Sequence, residues 1–217
     1  RGTFNLINSL PCIPERLIFS STVDVYRSSN CGPLITEESH LDSTSLYATS
    51  KLFAESLLYS WSQESGCPIS ILRYGHVYGP GESKYKKIIP ETIKSLLNGK
   101  NPILYGEGEA MRDFLFVDDV IEATLRSVFS DQPSGPINTV SGNSITILEL
   151  VQMLVDMIDP NLSICRKKTK SPSKSYVFDP AKMNDFLGHW EKKELIQGLG
   201  EEINYFVDKG YEKRRVQ

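Results

Sequence analysis

Tyr47 and Lys51 stand four residues apart in Ser45-Leu46-Tyr47-Ala48-Thr49-Ser50-Lys51, a spacing that puts both on one face of a helix. An ammonium beside a phenol favours the phenolate, and a tyrosine with an ordinary pKa of roughly 10 needs such help to act as a base. Tyr-x-x-x-Lys also arises on any amphipathic helix face, so the pair takes its meaning from its surroundings. Just upstream, Arg16-Leu17-Ile18-Phe19-Ser20-Ser21-Thr22 reads as a strand that ends in hydroxyls. Downstream, Pro68 to Tyr74 reads as a second buried strand, ending at Gly75-His76-Val77-Tyr78-Gly79-Pro80-Gly81. Ligands of open α/β sheets bind beyond the carboxyl ends of the strands. The hydroxyls of Ser20 to Thr22, the segment from Tyr74 to Tyr78 and the start of the Tyr47 helix therefore converge on one edge.

The elements that must hold this edge follow from pattern. A helix ends over Gly2 to Leu10, and Asn30-Cys31-Gly32-Pro33 has turn chemistry. The long helix runs from about Ser45 to Ser65 and stops near Gly66, and strand, helix and strand with short joints make a βαβ unit. Beyond Gly81, a helix is expected over Ile88 to Asn98, a short strand over Pro102 to Tyr105 and a turn at Gly106-Glu107-Gly108-Glu109. Asp113 to Val117 is expected to be extended, with Asp118 capping a helix from Asp119 to Ser130. Pro136 to Val140 reads as a strand, and Thr146-Ile147-Leu148-Glu149 has capping-box spacing for a helix to Ile158. Cys165 to Lys174 reads as a basic loop, followed by helices over Pro180 to Leu187 and Lys193 to Val207.

Composition narrows the function classes. The 217 residues suffice for one domain or one and a half, with 24% charged and 40% hydrophobic residues as in ordinary globular chains. A net charge of −3 gives no reason to expect nucleic acid or a membrane as partner. Cys12, Cys31, Cys67 and Cys165 form no C-x-x-C and the three histidines have no ligand spacing, so neither a zinc site nor a disulfide framework is expected. A reducing cytoplasm fits best. No apolar run approaches the ~18 residues of a membrane span, and no secretory leader is present. The chain opens at Arg1 rather than Met, within a helical pattern, and is expected to be a fragment of something longer.

In order and spacing, these segments resemble the extended short-chain dehydrogenase/reductases, specifically the NAD-dependent epimerase/dehydratase family that acts on nucleotide sugars. The matching pieces are Gly2-Thr3-x-Asn5-Leu6, Phe19-Ser20-Ser21-Thr22-x-x-Val25-Tyr26, Tyr47-x-x-x-Lys51 with Glu55, and Leu72-Arg73-Tyr74-x-x-Val77-Tyr78-Gly79-Pro80-Gly81. They continue with Ile89-Pro90, Tyr105-Gly106-x-Gly108, Arg112-Asp113-Phe114-x-x-Val117-Asp118-Asp119 and Leu187-Gly188-x-Trp190. The resemblance implies an α/β fold, a partial doubly wound Rossmann-like parallel sheet with a smaller α/β substrate-binding domain. Residues 1–80 would be the C-terminal part of the cofactor domain, 113–142 would return to it, and 81–217 would mainly bind substrate. The family's Gly-rich pyrophosphate loop would lie upstream of residue 1. Gly106-Glu107-Gly108 lacks a third glycine and carries carboxylates that repel phosphate, so it is read as a turn.

By this resemblance Tyr47 is the general base and acid, Lys51 holds the cofactor ribose, and Thr22 bonds the reacting sugar hydroxyl and relays its proton. The alternative for Thr22 is a strand-end hydroxyl satisfying a loop amide. Ser20 and the Tyr74-Gly75 backbone would line the nicotinamide pocket. His76 replaces a frequent Asn at a substrate contact; it is either a donor that titrates near neutrality or a satisfied loop histidine. Lys87 and Ile88 stand in the substrate loop, Tyr105 beside the nucleotide base, and Arg112 at the substrate diphosphate, with a salt bridge to Asp113 or Asp118 as its alternative. Thr169-Lys170-Ser171-Pro172 departs from the family's ribose-contacting segment.

Family 4,6-dehydratases follow the catalytic Thr with Asp-Glu, where this chain has Val23-Asp24, so epimerisation through a 4-keto sugar is favoured. Reduction, or decarboxylation with Asp24 as the acidic residue, stays open. The implied cofactor is NAD, with NADP open, and the implied partners are a nucleotide sugar and a second copy of the chain in a homodimer. The contrasting possibility is a non-catalytic remnant that binds nucleotide sugars.

Overall fold

A computed structural model describes residues 1–26, 34–43, 45–130, 135–169 and 175–211. Its first sheet is parallel throughout, in the order β1 (Leu17–Thr22), β2 (Ile69–Tyr74), β6 (Gly135–Thr139). Helix α2 (Leu46–Ser65) makes the crossover between β1 and β2, and its ends are chemically marked. The Ser45 side chain accepts from the Ala48 amide, and Gly66 takes φ +73°, a left-handed cap that glycine adopts without penalty. The expected βαβ unit is present.

Alternation along β2 assigns its side chains to two layers. Ile69 and Ile71 pack with Ile7 of α1 (Gly2–Asn8) and Leu58 of α2. Leu72 faces the other way, onto Ala123 of α4 (Val117–Phe129) and Met183 and Leu187 of α6 (Ala181–Leu187). Burial on both faces explains why β2 carries apolar or aromatic side chains at both its odd and its even positions, with Ser70 and Arg73 as its polar members.

A second sheet, in the order β3 (His76–Tyr78), β5 (Met111–Phe116), β7 (Ser144–Thr146), pairs β3 and β5 parallel and β5 and β7 antiparallel. Its core joins Tyr78, Phe114 and Phe116 to α3 (Ile88–Leu97), α5 (Ile147–Ile158) and α7 (Leu195–Asp208). The Thr146–Glu149 capping box forms with both reciprocal bonds. Gly198 lets α7 pass over the sheet: a Cβ there would overlap the Tyr78 hydroxyl and lie 2.7 Å from Phe116 Cδ2.

Several local expectations are corrected. His76 to Tyr78 is a strand rather than part of a turn, because its backbone pairs with β5. Helix α4 starts at Val117 with Phe116 as its N-cap, so Asp118 lies in the first turn and pairs with Lys193 at 3.4 Å instead of capping. Cys165 to Lys167 is a strand, β8, paired parallel with β4 (Ile103–Tyr105). The Asn30–Pro33 turn and the 170–174 part of the basic loop lie outside the described residues. Gly106 and Gly108 both have φ +79° and open no phosphate cradle; a Cβ on Gly108 would sit 2.9 Å from Leu104 Cδ2 and Leu148 Cβ. That segment is a packed turn, as expected.

Candidate active site

At the carboxyl ends of β1 and β2 lies a cavity of about 550 Å³ whose wall includes Thr22, Tyr47, Tyr74, Gly75, His76, Lys87 and Ile88. Each arrives by a different local rule. Thr22 ends β1 and N-caps a 3₁₀ turn, Val23–Val25, its Oγ1 accepting from the Asp24 amide at 3.2 Å. The anticipated loop-amide role is therefore real, yet accepting one bond leaves the hydroxyl hydrogen available for donation. Tyr47 is in the first turn of α2 and half exposed to the cavity. Tyr74 ends β2, its hydroxyl anchored at 2.8 Å to Thr124 Oγ1 of α4. Gly75 extends the ladder by donating to Thr139 O at 2.9 Å, so the chain crosses here from one sheet to the other through a single residue.

Lys51 follows Tyr47 by one turn. Its Nζ donates to the Ser20 carbonyl at 2.7 Å and lies 5.8 Å from the Tyr47 ring centroid and 5.2 Å from that of Phe19. Lys51 lines a separate recess of about 540 Å³ on the flank of α2. Ser20 meets the site through its backbone carbonyl, and its side chain is not on the main cavity wall. Tyr105 lines a third recess of about 370 Å³, which shares Lys87 and Ile88 with the main cavity.

Arg112 is off the main wall. Its Nη1 donates to Met111 O at 2.8 Å and its guanidinium stacks 5.2 Å from the Tyr176 ring centroid. Asp113 spends its carboxylate on the Ser141 and Gly142 amides at 2.7 and 2.8 Å, and Asp118 pairs with Lys193.

His76 requires a correction. Packed between the Phe114 and Tyr176 rings, with Nδ1 sealed from solvent and without a hydrogen-bond partner among the described residues, it has its pKa pushed down to about 4 by burial first and by the Arg112 charge second. The imidazole is neutral across the physiological range, so the near-neutral titration expected from sequence is absent.

Three further groups stand on or beneath the wall, and among them the sequence reading gave a role to Asp24 alone. Asp24 and Glu82 both line the cavity, and Glu82 holds Lys87, whose Nζ also donates to Val77 O at 3.2 Å. Beneath Glu82, Glu202 of α7 is fully buried and both its carboxylate oxygens lack a hydrogen-bond partner among the described residues. Burial first, and the neighbouring Glu82 carboxylate second, raise its pKa to about 8; the Lys87 charge and the facing Gly79 amide offset this only in part. Its signal was available in sequence: Leu195, Leu199, Glu202 and Phe206 fall on one helical face. The third group is the buried Glu55–Arg73 pair, hinted at by an arginine inside the apolar run of β2.

Comparison with known proteins gives a consistent setting. Residues 1–138 match the profile of the NAD dependent epimerase/dehydratase family. The dTDP-D-glucose 4,6-dehydratase of Bos taurus is 31% identical over 191 residues, 86% of this chain and 50% of that protein. UDP-glucuronic acid decarboxylase 6 of Arabidopsis thaliana is 26% identical over 91% of this chain and 59% of its own length. Among solved structures, the UDP-N-acetylglucosamine 4-epimerase from Methanobrevibacter ruminantium M1, in complex with UDP-N-acetylmuramic acid, superposes with a TM-score of 0.81 at 30% identity. That match covers 90% of this chain and 64% of that one. The chain thus spans about half the length of the curated relatives it matches.

Proposed function

The chain belongs to the NAD dependent epimerase/dehydratase family, and on that premise we propose that it carries the proton-handling residues of a nucleotide-sugar epimerase working through a 4-keto sugar. Relatives of this chain include nucleotide-sugar epimerases, 4,6-dehydratases and decarboxylases. The observation that carries the reading is the convergence of Thr22, Tyr47, Tyr74 and His76, from three strands and a helix, on one cavity.

In this reading Tyr47 Oη takes the proton from the sugar hydroxyl and later returns it, while Thr22 Oγ1 donates to the same oxygen and relays the proton. Lys51, held by the Ser20 carbonyl, keeps a fixed positive charge beside the phenol ring. The donor set fits the nicotinamide-ribose half of a dinucleotide: an ammonium at Lys51, a phenol at Tyr47 and a backbone free of side chain at Gly75. NAD, when bound, supplies the hydride acceptor and donor that make and unmake the ketone. Lys87 and Ile88 would meet the nucleotide, Tyr105 its base and Arg112 the diphosphate, and His76 the sugar or its phosphate as a neutral partner.

Val23 supports epimerisation over 4,6-dehydration, because it is 2% exposed and packed with Val25, Tyr26 and Phe178 in the core, where it offers no proton. A second reading, decarboxylation of a nucleotide-linked sugar acid, is favoured only by Asp24, which is exposed on the cavity wall. No helix among the described residues is long and apolar enough to cross a membrane, in keeping with a cytoplasmic enzyme. Exposed Leu46 and Phe53, seven residues apart on α2, suit the homodimer.

The test is Tyr47→Phe in the complete protein with UDP- and dTDP-hexoses, following products by mass spectrometry and NMR. Turnover should fall by at least the roughly 10²–10⁴ of general-base catalysis while sugar-nucleotide affinity stays within a few-fold. Retained turnover refutes the base, and a 4-keto-6-deoxy product refutes epimerisation.

A further inference from the structure

Behind the site, five buried polar side chains form one connected set. Ser21 Oγ, adjacent to Thr22 in β1, donates to Glu55 Oε1. Glu55 is on α2, one turn past Lys51 and two past Tyr47. Arg73 of β2 forks the same carboxylate, with Nε at 3.2 and 3.3 Å and Nη2 at 2.7 Å. The strand's alternation places Arg73 on the side of Ile69 and Ile71, which is the side α2 covers. Arg73 Nη1 donates at 2.7 Å to Tyr26 Oη, which donates at 2.6 Å to Asn138 Oδ1 of β6. Burial pushes the Tyr26 phenol up to about 12, keeping it a neutral donor. Ser21, Tyr26, Glu55, Arg73 and Asn138 are all at most 4% exposed.

We infer that Ser21, Glu55 and Arg73 are positioning residues, which fix the face of α2 bearing Tyr47 and Lys51 against the strand end bearing Thr22. This rests on the proposed catalytic roles of those three residues. Three features argue for alignment rather than plain cohesion. A buried ion pair is a poor source of net stability compared with apolar side chains of similar volume, so its presence calls for another account. With Ser21 the pair ties together β1, α2 and β2, and β1 and α2 are the elements that deliver Thr22, Tyr47 and Lys51. Its bonds are directional where apolar packing is not: the guanidinium fork fixes both the rotation and the height of Glu55, hence of the helix one and two turns earlier. The α2 surface at Lys51 has no such lock of its own, Lys51 reaching only the Ser20 carbonyl.

The test uses the complete protein and two variants. Glu55→Gln/Arg73→Met removes both charges together and so leaves no unpaired buried ion, and Ser21→Ala removes one bond while keeping the pair. The double variant should keep its melting temperature within a few degrees and KM within about threefold. Its kcat should fall by at least ~10-fold, toward the ~10²-fold that a misplacement near 1 Å costs. The pH profile of kcat should change in shape as Lys51 and Tyr47 lose register. Ser21→Ala should show the same changes in smaller measure, with an unchanged melting temperature. A double variant that stays folded with wild-type kcat and pH profile overturns the inference, as does a Ser21→Ala variant that matches wild type in both. Should the double variant unfold, the Ser21→Ala result decides alone. Tyr47→Phe run in parallel separates the two levels: if it still turns over, the catalytic reading fails and the positioning role falls with it. If it is dead while the two variants are unimpaired, only the positioning role fails.

Discussion

Replacing Glu202 by Gln should change how stability depends on pH, with a sign and size that follow from its burial. Glu202 is fully buried without a hydrogen-bond partner among the described residues, and its pKa rises from 4.5 to about 8. Between these values the folded state holds a proton that the unfolded state has released. Stability therefore falls as pH rises, by about 1.4 kcal/mol per unit, and levels off above about 8. Across that window the loss approaches about 5 kcal/mol. Glutamine has nearly the same shape and no proton to lose. Wild type and Glu202→Gln should match near pH 5 and diverge steadily toward pH 8, the variant being the more stable. Urea unfolding of the complete protein in half-unit steps from pH 5 to 9 measures this directly. Parallel curves, with a constant offset, would refute the buried protonated carboxyl and imply a water or a cation beside it.

Further outcomes follow from other sites. Arg112→Ala should weaken UDP- and dTDP-sugar binding by roughly 10- to 150-fold, the range of one charge-assisted contact, with Arg112→Lys recovering part of it; unchanged affinity in calorimetry would leave Arg112 a structural residue beside Tyr176 and the Met111 carbonyl. Residues 1–217 by themselves should bind NAD weakly, since no Gly-rich turn at a helix N-terminus stands among the described residues to take a pyrophosphate; micromolar binding by calorimetry would contradict this. Gly198→Ala should cost on the order of 1–3 kcal/mol by overpacking α7 against Tyr78 and Phe116, and an unshifted denaturation midpoint would show that the helix yields freely.

What the sequence disclosed was whatever is decided locally. Ser45 and Gly66 mark the ends of α2 because a cap needs only its own turn, and Thr146 with Glu149 likewise. The three-residue strands β3, β7 and β8 were not legible, since so short a run has no periodicity and is defined by a partner far away in the chain. Asp118 failed as a cap because the chain turns into the helix one residue earlier, at Val117, and the carboxylate meets Lys193 across 75 residues. His76 lines the cavity, and its neutral state could not be chosen from sequence over the titrating alternative, because the aromatic rings that desolvate it come from β5 and from Tyr176. Motif order located much of the cavity wall and included Glu55 and Arg73, but that these two pair with each other, and that Glu202 is buried beneath the wall, depends on packing between elements distant in the chain.

The single-residue crossing at Gly75 bears on how such a chain is recombined. Thr22, Tyr47 and Lys51 all precede it, whereas His76, Lys87, Tyr105 and Arg112 all follow it. The chain then re-enters the first sheet's layers after Phe116, where β5 gives way to α4, and completes that sheet with β6. On the proposed function, a chimaera seeking a new sugar should therefore splice twice, at Gly75 and at Phe116–Val117, exchanging the 76–116 cassette and leaving the proposed proton-handling residues in their frame. A single splice at Gly75 would also replace β6 and α4, and with them Asn138 and Thr124, the groups that hold Tyr26 and Tyr74 in place.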